Sequence, residues 1–430
     1  LEELPPSRWH LQLVLAAGIG WMFDAFDILL ISFVLPQLRA EWSITAQEAA
    51  LTASVSLLGM FLGAPIAGIA ADRIGRTRVF QLSMLWFAIF SAVSAAAPSF
   101  SAFLVLRFLT GVGLGAELPV ASSLVSEFLP RTRRGFYMVL FESFWAVGAI
   151  LAALTGFLAL PALGWRYTLA LGAVPALYAL YLRRAIPESP RFLERIGRHE
   201  EARAIVRDVE SRCGVEPVAL TETTGTGVIT KVGIRALWQP RLRRSTLMLW
   251  LLWFAMLFAY YGLSIWLPSL VAQRFGTIRS LQYTLLIAVF QLPGYFAAAA
   301  CVDRFGRKPT LVTFLAGAAG AAIAFAYADS TATVLLFGAT LSFFNLGAWG
   351  VVYAYTPEHY PTALRATGAG AASGVGRLGG VLAPYLVGAI LDHGGTPPHV
   401  YLMVALALVA AAAVVLVLGN ETRQKELPES

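Results

Sequence analysis

The sequence predicts an all-α membrane protein in which about twelve helices cross the bilayer as two related halves. The chain of 430 residues is 58% hydrophobic and only 13% charged, and its mean hydropathy is +0.69. No soluble globular protein has that balance. Apolar runs of membrane-spanning length recur almost without pause, and one charged motif occurs twice. We therefore expect one polytopic membrane body rather than two or three soluble domains.

The apolar runs fall into two groups of six. Each is close to the roughly 20 residues that a helix needs to cross the hydrocarbon core. The runs cover 11–36, 47–71, 79–97, 101–128, 135–160 and 164–185, then 245–272, 279–302, 309–328, 332–356, 366–391 and 398–419. We predict a first half at 1–186, a cytoplasmic linker with amphipathic helices at 187–244, and a second half with a short tail at 245–430. Within the linker, the Thr/Gly-rich stretch 221–230 is predicted to be disordered.

Positive charge predicts the orientation of the helices. Most Lys and Arg residues between the spans occur in every second loop, in the linker and in the tail, whereas the other side carries only Arg39, Arg166, Arg274 and Arg279. Loops rich in Lys and Arg stay in the cytoplasm. Both termini and the linker are therefore predicted to be cytoplasmic. The net charge of +7 orients helices and does not indicate a nucleic-acid partner.

An internal repeat supports the two halves. Asp72-Arg73-Ile74-Gly75-Arg76 recurs as Asp303-Arg304-Phe305-Gly306-Arg307, and the same displacement relates Glu127 to Glu358, Pro130 to Pro361 and Arg134 to Arg365. All of these positions lie at predicted cytoplasmic ends of spans. Parallel repeats of this kind in transporters place the substrate site near the bilayer midplane, at the repeat interface.

These motifs resemble those of the major facilitator superfamily. The resemblance rests on Gly68-x-x-x-Asp72-Arg73-x-Gly75-Arg76, its copy at Asp303, and Arg107-x-x-x-Gly111-x-Gly113-x-Gly115. Pro187-Glu188-Ser189-Pro190-Arg191 and Asn420-Glu421-Thr422 are similar to the branch of sugar porters, organic ion transporters and SV2-like proteins. Phe23-Asp24-Ala25-Phe26-Asp27 and Glu117-Leu118-Pro119-Val120 look most like bacterial niacin (nicotinate) transporters. The resemblance implies the major facilitator fold, with 12 transmembrane helices in two pseudo-symmetric six-helix halves.

Two carboxylates, Asp24 and Asp27, lie in the middle of the first span. A charge there costs roughly 2.5–3.5 kcal/mol on insertion scales, and such residues often mark ion or substrate pathways. Asp27 lies about nine residues below Pro36, and Arg107 about nine below Pro98, which is roughly 13 Å in each case. The two can therefore meet. Alternatively, both aspartates pair permanently with buried bases and only fix helix packing.

The resemblance implies a role for that pair. Asp27 is similar to the aspartate that proton-coupled sugar porters pair with the arginine matching Arg107, so a proton on the carboxylate would weaken the pair. We place the proton on Asp27 rather than Asp24. Glu117 and Glu142 are further candidate proton sites, or they neutralise Arg377.

Arg377 is the candidate for binding an anionic substrate. It lies mid-span among small residues, and a guanidinium matches a carboxylate through two parallel hydrogen bonds. Organic anion transporters of this branch are similar in placing an arginine here. The alternative is a structural partner for Glu142 or an aspartate. The nearby Gly374-x-Gly376-x-x-Gly379 follows no strand, so it indicates helix packing rather than a dinucleotide site.

Aromatic and amide side chains in mid-span complete the predicted substrate site. A flat ring can be clamped by aromatic side chains, whereas a sugar needs more amides and hydroxyls. The candidates are Trp21, Phe26, Trp145, Tyr260, Tyr261, Phe344, Trp349 and Asn345. Asn345 could instead form a helix-packing hydrogen bond.

Charged residues of the repeated turns form the predicted cytoplasmic gate. Gly75 and Gly306 permit tight turns, and the charged groups around them can bind helix ends and opposite loops. The predicted gate residues are Asp72, Arg73, Arg76, Glu127, Arg134, Asp303, Arg304, Arg307, Glu358 and Arg365. The alternative is that these charges only set the topology.

Together these features predict a proton-coupled symporter that imports a small aromatic monocarboxylate, with nicotinate as the leading candidate. A sugar or polyol carrier is disfavoured, because Glu142 stands six residues before Gly148, where sugar porters would carry a glutamine, and their paired glutamines on span seven are missing. An organic cation carrier is disfavoured by Arg377, and a non-transporting receptor by the short external loops.

The sequence predicts neither an enzyme nor a cofactor. It contains no His-Glu-x-x-His, Gly-x-Ser-x-Gly or Walker sequence, and two cysteines make no metal site or disulfide framework. The predicted partners are the substrate, protons and lipid, with the protein as a monomer in the cell (inner) membrane.

Overall fold

The computed structural model describes residues 1–215, 234–361 and 364–422, and these residues form helices and no strands. The first predicted half contains α1 (Arg8–Trp42), α2 (Ala46–Ile74), α3 (Arg76–Ser94), α4 (Phe100–Phe128), α5 (Arg134–Leu158), α6 (Leu160–Ala170) and α7 (Val174–Ala185). The linker contains α8 (Pro190–Arg195) and α9 (His199–Arg212). The second half contains α10 (Arg243–Ser264), α11 (Leu267–Phe275), α12 (Thr277–Val289), α13 (Gln291–Phe305), α14 (Arg307–Ala326), α15 (Thr331–Glu358), α16 (Arg365–Asp392) and α17 (Pro397–Leu418).

Eleven helical segments of the described chain are long and apolar enough to cross a membrane, which confirms the all-α membrane fold. Three of the twelve predicted spans are not continuous helices, however. The sixth is divided between α6 and α7 by a 3₁₀ turn at Leu171–Ala173, the seventh between α10 and α11, and the eighth between α12 and α13. The predicted membrane-spanning segments are present at these places, but each contains a break in its helix.

A proline explains each interruption. Pro175, Pro268 and Pro293 each follow a break by two or three residues. Proline lacks the amide hydrogen of the helical hydrogen bond, and its ring collides with the carbonyl four residues earlier. The helix therefore stops and restarts with the proline in its first turn, where a missing N–H costs little.

Contacts divide the chain into two compact units. The first consists of Leu1–Asp27, Gly59–Gly148 and Leu169–Val228, and the second of Ile28–Leu58, Ala149–Thr168 and Ile229–Ser430. The second unit thus contains all the C-terminal helices together with parts of α1, α2, α5 and α6.

In the second unit, the start of α2 is fixed to α16. The Asp392 carboxylate accepts hydrogen bonds from the backbone N–H groups of Ala46 (2.9 Å) and Gln47 (2.7 Å), so it caps the α2 N-terminus. One side of α16 lies against the same region: Gly388 contacts the backbone of Ala46 and Gln47. Two turns along α2, the Ser54 hydroxyl donates to the Val381 carbonyl at 2.7 Å.

The two copies of the repeated turn have the same geometry. Gly75 has φ 104° and Gly306 has φ 98°, a region that side chains avoid. The following helix is capped in each copy by a glutamate that lies later in the chain. Glu188 accepts from the N–H groups of Arg76 and Thr77, and Glu421 accepts from those of Arg307 and Lys308.

Two short helices, α8 and α9, lie in the predicted linker. Phe192 and Leu193 of α8 pack against Ala202 and Ile205 of α9 in a small apolar cluster. The stretch 221–230, predicted to be disordered, lies outside the described residues.

We expect Gly75→Ala and Gly306→Ala each to lower the free energy of unfolding by about 1–3 kcal/mol, the usual cost of forcing a side chain into such a backbone conformation. At Gly306 the new Cβ would also lie 2.8 Å from a Glu421 oxygen. Gly68→Ala is the matched control, because Gly68 lies in α2 with nothing within 4 Å of its missing Cβ. Thermal unfolding in detergent measures all three. Equal midpoints for Gly75→Ala and Gly68→Ala would contradict the expectation.

Candidate functional site

The structure brings Asp27 and Arg107 together inside the first unit. Arg107 Nη2 lies 2.6 Å from Asp27 Oδ2, and Nη1 lies 3.4 Å from Oδ1. Both side chains have no solvent exposure. The two guanidinium nitrogens donate hydrogen bonds to the buried carboxylate, whereas burying either charge without the other would cost free energy of folding.

Two further helices complete the surroundings of this ion pair. The Ser91 hydroxyl on α3 donates to Asp27 Oδ1. Gly172, in the 3₁₀ turn that interrupts the sixth span, packs against Ser91 and Asp27. Because Gly172 has no side chain, the interrupted span can approach the ion pair closely. The ion pair therefore connects α1, α3, α4 and the sixth span.

Asp24 has a different partner. Asp24 and Glu117 are both fully buried, and their carboxyl groups lie within reach of one another. Glu117 Oε1 also lies against Gly20, where a Cβ would be 2.6 Å away. The first unit therefore contains an acid–base pair and, one helical turn away on α1, an acid–acid pair.

Glu142 lies beside Trp21, within a buried aromatic group. The ring centroid of Trp21 lies 4.7 Å from that of Trp145 and 6.4 Å from that of Phe141. Phe26 is also buried, on the same helix as Trp21. Three predicted substrate residues, Trp21, Phe26 and Trp145, thus belong to the first unit.

Position 148, where sugar porters would carry a glutamine, has no room for a side chain in this structure. Gly148 on α5 packs against Ala25 of α1, whose Cβ would be 2.7 Å from a Cβ on Gly148, and against the Met22 carbonyl. Any side chain at Gly148 would require α1 and α5 to move apart.

In the second unit, a small cavity collects buried polar groups. Two of the predicted substrate residues, Tyr260 and Asn345, line it, and so do Thr284 and Gln291, which the sequence analysis did not propose. The Asn345, Thr284 and Gln291 side-chain oxygens find no hydrogen-bond partner among the described residues. Buried polar atoms normally have one, so these three are available to a ligand or to water.

The cavity is small. Its volume is about 40 Å³, room for a few water molecules and far below the roughly 300–1,000 Å³ of a ligand pocket. Gln291 is the first residue of α13, immediately after the break that Pro293 causes. The sequence signal for Gln291 was therefore a polar residue two positions before a mid-span proline.

The remaining aromatic candidates of the second unit have different surroundings. The ring centroid of Trp349 lies 6.4 Å from that of Tyr260, and Tyr261 packs against Gly380 of α16. Phe344 instead packs against Phe314 and Gly317 of α14 and is not among the residues that line the polar cavity.

Arg377 is half-buried in the middle of α16. Residues separated by one or three turns share a face of a helix, so Arg377 lies on the face of α16 that carries Val381 and Gly388. Both of these contact α2. Gly376 and Gly379 instead pack against the α10 backbone at Trp253 and Phe254, so these glycines serve helix packing.

Equivalent charged clusters surround the two repeated turns. In the first unit, Arg76 pairs with Glu127, which also accepts from the Ser189 hydroxyl. In the second unit, Arg307 Nη2 lies 3.0 Å from Glu358 Oε1, and the Thr422 hydroxyl donates to Glu358. Each cluster connects elements of its own unit.

The other predicted gate residues contact nearby elements or face solvent. Asp72 pairs with Arg195 of α8, and Arg365 donates to the Pro357 carbonyl. Arg73 and Arg304 are exposed. The side chain of Asp303 lies outside the described residues.

Arg134 pairs with Glu2 at 3.2 Å. Burial acts to raise the pKa of Glu2, but the guanidiniums of Arg134, Arg191 and Arg131 hold this pKa below its ordinary value. At neutral pH, Glu2 therefore stays charged and ties the N-terminal segment to α5 and α8.

Comparison with known proteins places the whole chain. The sequence pattern described as sugar (and other) transporter matches residues 13–430. The niacin transporter NiaP of Acinetobacter baylyi is 42% identical over 428 residues, which cover 99% of this chain and 98% of that protein. The organic cation/carnitine transporter 7 of Arabidopsis thaliana is 33% identical over 99% of this chain and 94% of its own length. The inward-open, partially occluded xylose transporter XylE of E. coli matches with TM-score 0.76 and 20% identity, over 98% of this chain and 100% of XylE.

We expect Asp27→Asn to destabilise the protein by about 3–5 kcal/mol, because it removes the buried carboxylate that balances the charge of Arg107. Asp27→Asn combined with Arg107→Gln removes both charges and should recover part of that loss. Asp72→Asn, which breaks the exposed pair with Arg195, is the control and should change stability far less. Thermal unfolding in detergent compares them. A double variant no more stable than Asp27→Asn would show that the buried charge is not the cause.

Proposed function

Because the chain belongs to the sugar (and other) transporter family of the major facilitator superfamily, we propose that it imports nicotinate, a small aromatic monocarboxylate, together with protons. The chain is a multi-pass membrane transporter and not an enzyme. In this proposal it works by alternating access in the cell (inner) membrane of a bacterium, with both termini in the cytoplasm.

The observation that carries the substrate assignment is the 42% identity, over nearly the full length of both chains, with a protein named as a niacin transporter. The residues of this chain suit that cargo. Arg377 supplies a guanidinium to the substrate carboxylate, whose two oxygens it can bind through parallel hydrogen bonds. Gly148 supports the same reading, since it leaves no room for a sugar-binding glutamine.

The ring of the substrate requires aromatic and polar contacts. The candidates are Trp21, Phe26 and Trp145 in the first unit, and Tyr260, Tyr261 and Trp349 in the second. The side-chain oxygens of Asn345, Gln291 and Thr284, which have no hydrogen-bond partner in the described part of the chain, add polar contacts for a ring nitrogen or its bound water. We leave Phe344 out of this set because it packs against α14.

Proton coupling is assigned to the buried charges of the first unit. Asp24, Asp27, Glu117 and Glu142 are all buried there with Arg107, and buried intramembrane acids commonly belong to proton relays. Coupling requires that proton and substrate each bind more tightly when the other is present. The clusters around Arg76 and Arg307 fix the inner ends of the helices and are proposed to stabilise one gating state.

Uptake into proteoliposomes tests the proposal. Labelled nicotinate, 4-hydroxybenzoate, glucose and choline are compared with and without an inward proton gradient, and protein-free vesicles correct for diffusion of the uncharged acid. We expect nicotinate to accumulate only with the gradient. Uptake of glucose or choline without nicotinate would overturn the substrate assignment, and gradient-independent accumulation would overturn proton coupling.

We expect Arg377→Ala to raise the KM for nicotinate by about 10- to 100-fold, the value of a charge-assisted hydrogen bond or two. Arg377→Lys keeps the charge but loses the two-pronged geometry, so it should give an intermediate KM. Arg279→Ala removes an exposed arginine at the start of α12 and serves as the control with an unchanged KM. Initial uptake rates over a range of concentrations provide the measurement. An unchanged KM in Arg377→Ala would exclude Arg377 from substrate binding.

A further inference from the structure

A second cavity of the second unit lies apart from the residues proposed to bind the substrate. Its volume is about 270 Å³, compared with about 40 Å³ for the polar cavity that Asn345 lines. The last turns of α11 and α14 and the first turns of α15 and α17 form its wall. One wall residue, Arg274, belongs to the predicted outer side of the membrane, so we call this space the outer cavity.

Aromatic rings form much of the wall of the outer cavity. Phe275, Phe325 and Tyr401 line it, and the ring centroids of Phe325 and Tyr401 lie 4.7 Å apart at an interplanar angle of 48°. Such side chains bind a further ring in offset or edge-to-face arrangements. In another protein, an apolar cavity of about 150 Å³ holds benzene. The outer cavity therefore has room for a six-membered ring that carries a carboxylate.

One arginine brings positive charge to the outer cavity. Arg274 is exposed and lines it, and Nη1 of its guanidinium donates to the Ala328 carbonyl. This hydrogen bond holds the side chain between α11 and the turn after α14. A guanidinium has five N–H groups, so further donors remain for a ligand. In the described part of the chain, no carboxylate forms an ion pair with Arg274.

The repeated fold does not require these residues. At the displacement that relates the two halves, Arg274 corresponds to Ser43 and Phe325 corresponds to Ser94. The first half thus has neither the positive charge nor the ring at these positions. The combination belongs to this place in the second half rather than to the arrangement of helices that the halves share.

A larger apolar cavity provides a contrast. Its volume is about 380 Å³, and Phe290 and Phe344 are among its wall residues. The described residues that line it include no charged side chain. A carboxylate there would be removed from water without a partner, which costs free energy. Rings together with a cation therefore distinguish the outer cavity, and they suit a ligand that is both aromatic and anionic.

We propose that the outer cavity binds an aromatic carboxylate of the same class as the cargo, at the end of the protein where an importer receives it. The aromatic wall contacts the ring of the ligand, and the Arg274 guanidinium binds its carboxylate. The identity of the cargo rests on the proposed function. The outer cavity is a binding site additional to the one that contains Arg377.

Protection of a reporter cysteine tests this site directly. Gln273 is exposed on the cavity wall, so Gln273→Cys places a thiol there, and Cys213→Ser with Cys301→Ser removes the two native thiols. The purified protein in detergent is labelled with a maleimide while nicotinate, benzoate, nicotinamide or decanoate is titrated. We expect nicotinate and benzoate to slow labelling. Nicotinamide lacks the carboxylate and decanoate lacks the ring, so neither should slow it.

Charge removal gives the matched comparison. Arg274→Ala should raise the benzoate concentration that halves the labelling rate by about 10- to 100-fold, the value of a charge-assisted hydrogen bond or two. Arg279→Ala removes an exposed arginine at the start of α12 and should leave that concentration unchanged. Unchanged protection in Arg274→Ala would overturn the proposal. Protection by decanoate without protection by benzoate would also overturn it and would indicate a lipid chain as the occupant.

Arg377→Ala separates the outer cavity from the proposed transport site. Protection by benzoate should persist in this variant, because Arg377 is on α16 and does not line the outer cavity. Loss of protection in Arg377→Ala would show that binding elsewhere shields the reporter, and the outer cavity would be excluded. If the wild-type protein takes up no nicotinate while benzoate still protects the reporter, only the proposed function is overturned.

Discussion

The interaction on which the first unit depends is the fully buried pair of Asp27 and Arg107. Lipid offers no water to a charge, so each of these two buried groups is stabilised by the opposite charge beside it. The geometry that satisfies both charges also positions α1 against α4, while Ser91 and Gly172 bring α3 and the sixth span to the same point. The packing of these helices and the balance of the buried charges therefore depend on each other. A change in either affects α1, α3, α4 and the sixth span.

Prolines and glycines interrupt or thin the helices of this protein at places where polar side chains are buried. Pro293 ends α12 and places Gln291 at the start of α13, beside the cavity that Asn345 and Thr284 also line. Gly20 lets a carboxyl group from α4 reach α1. Each of these residues weakens regular helix locally, and each brings a polar side chain into a buried place.

The two copies of the repeated turn share their hydrogen bonds and ion pairs as well as their sequence. In both copies a glycine makes the turn, a glutamate from later in the chain caps the new helix, and an arginine pairs with a second glutamate. The caps act because the N-terminus of a helix carries partial positive charge and free N–H groups. The same solution thus fixes corresponding helix ends in each unit.

The sequence by itself determined the spans, the two repeats, the glycine turns and the family, because hydropathy, spacing and motifs are properties of the chain read locally. It also brought Asp27 to the depth of Arg107, since depth along a helix follows from residue count. Pro175, Pro268 and Pro293 are visible in the sequence, but the apolar runs continue through them, so hydropathy alone did not indicate the helix breaks. Only the tertiary structure decided that Glu117 lies close to Gly20 of α1, that Gln291 and Thr284 line the same cavity as Asn345, and that Phe344 packs against α14. Those outcomes depend on how each helix is rotated about its axis against its neighbours, and that rotation is fixed by packing among many side chains rather than by the pattern along any one of them.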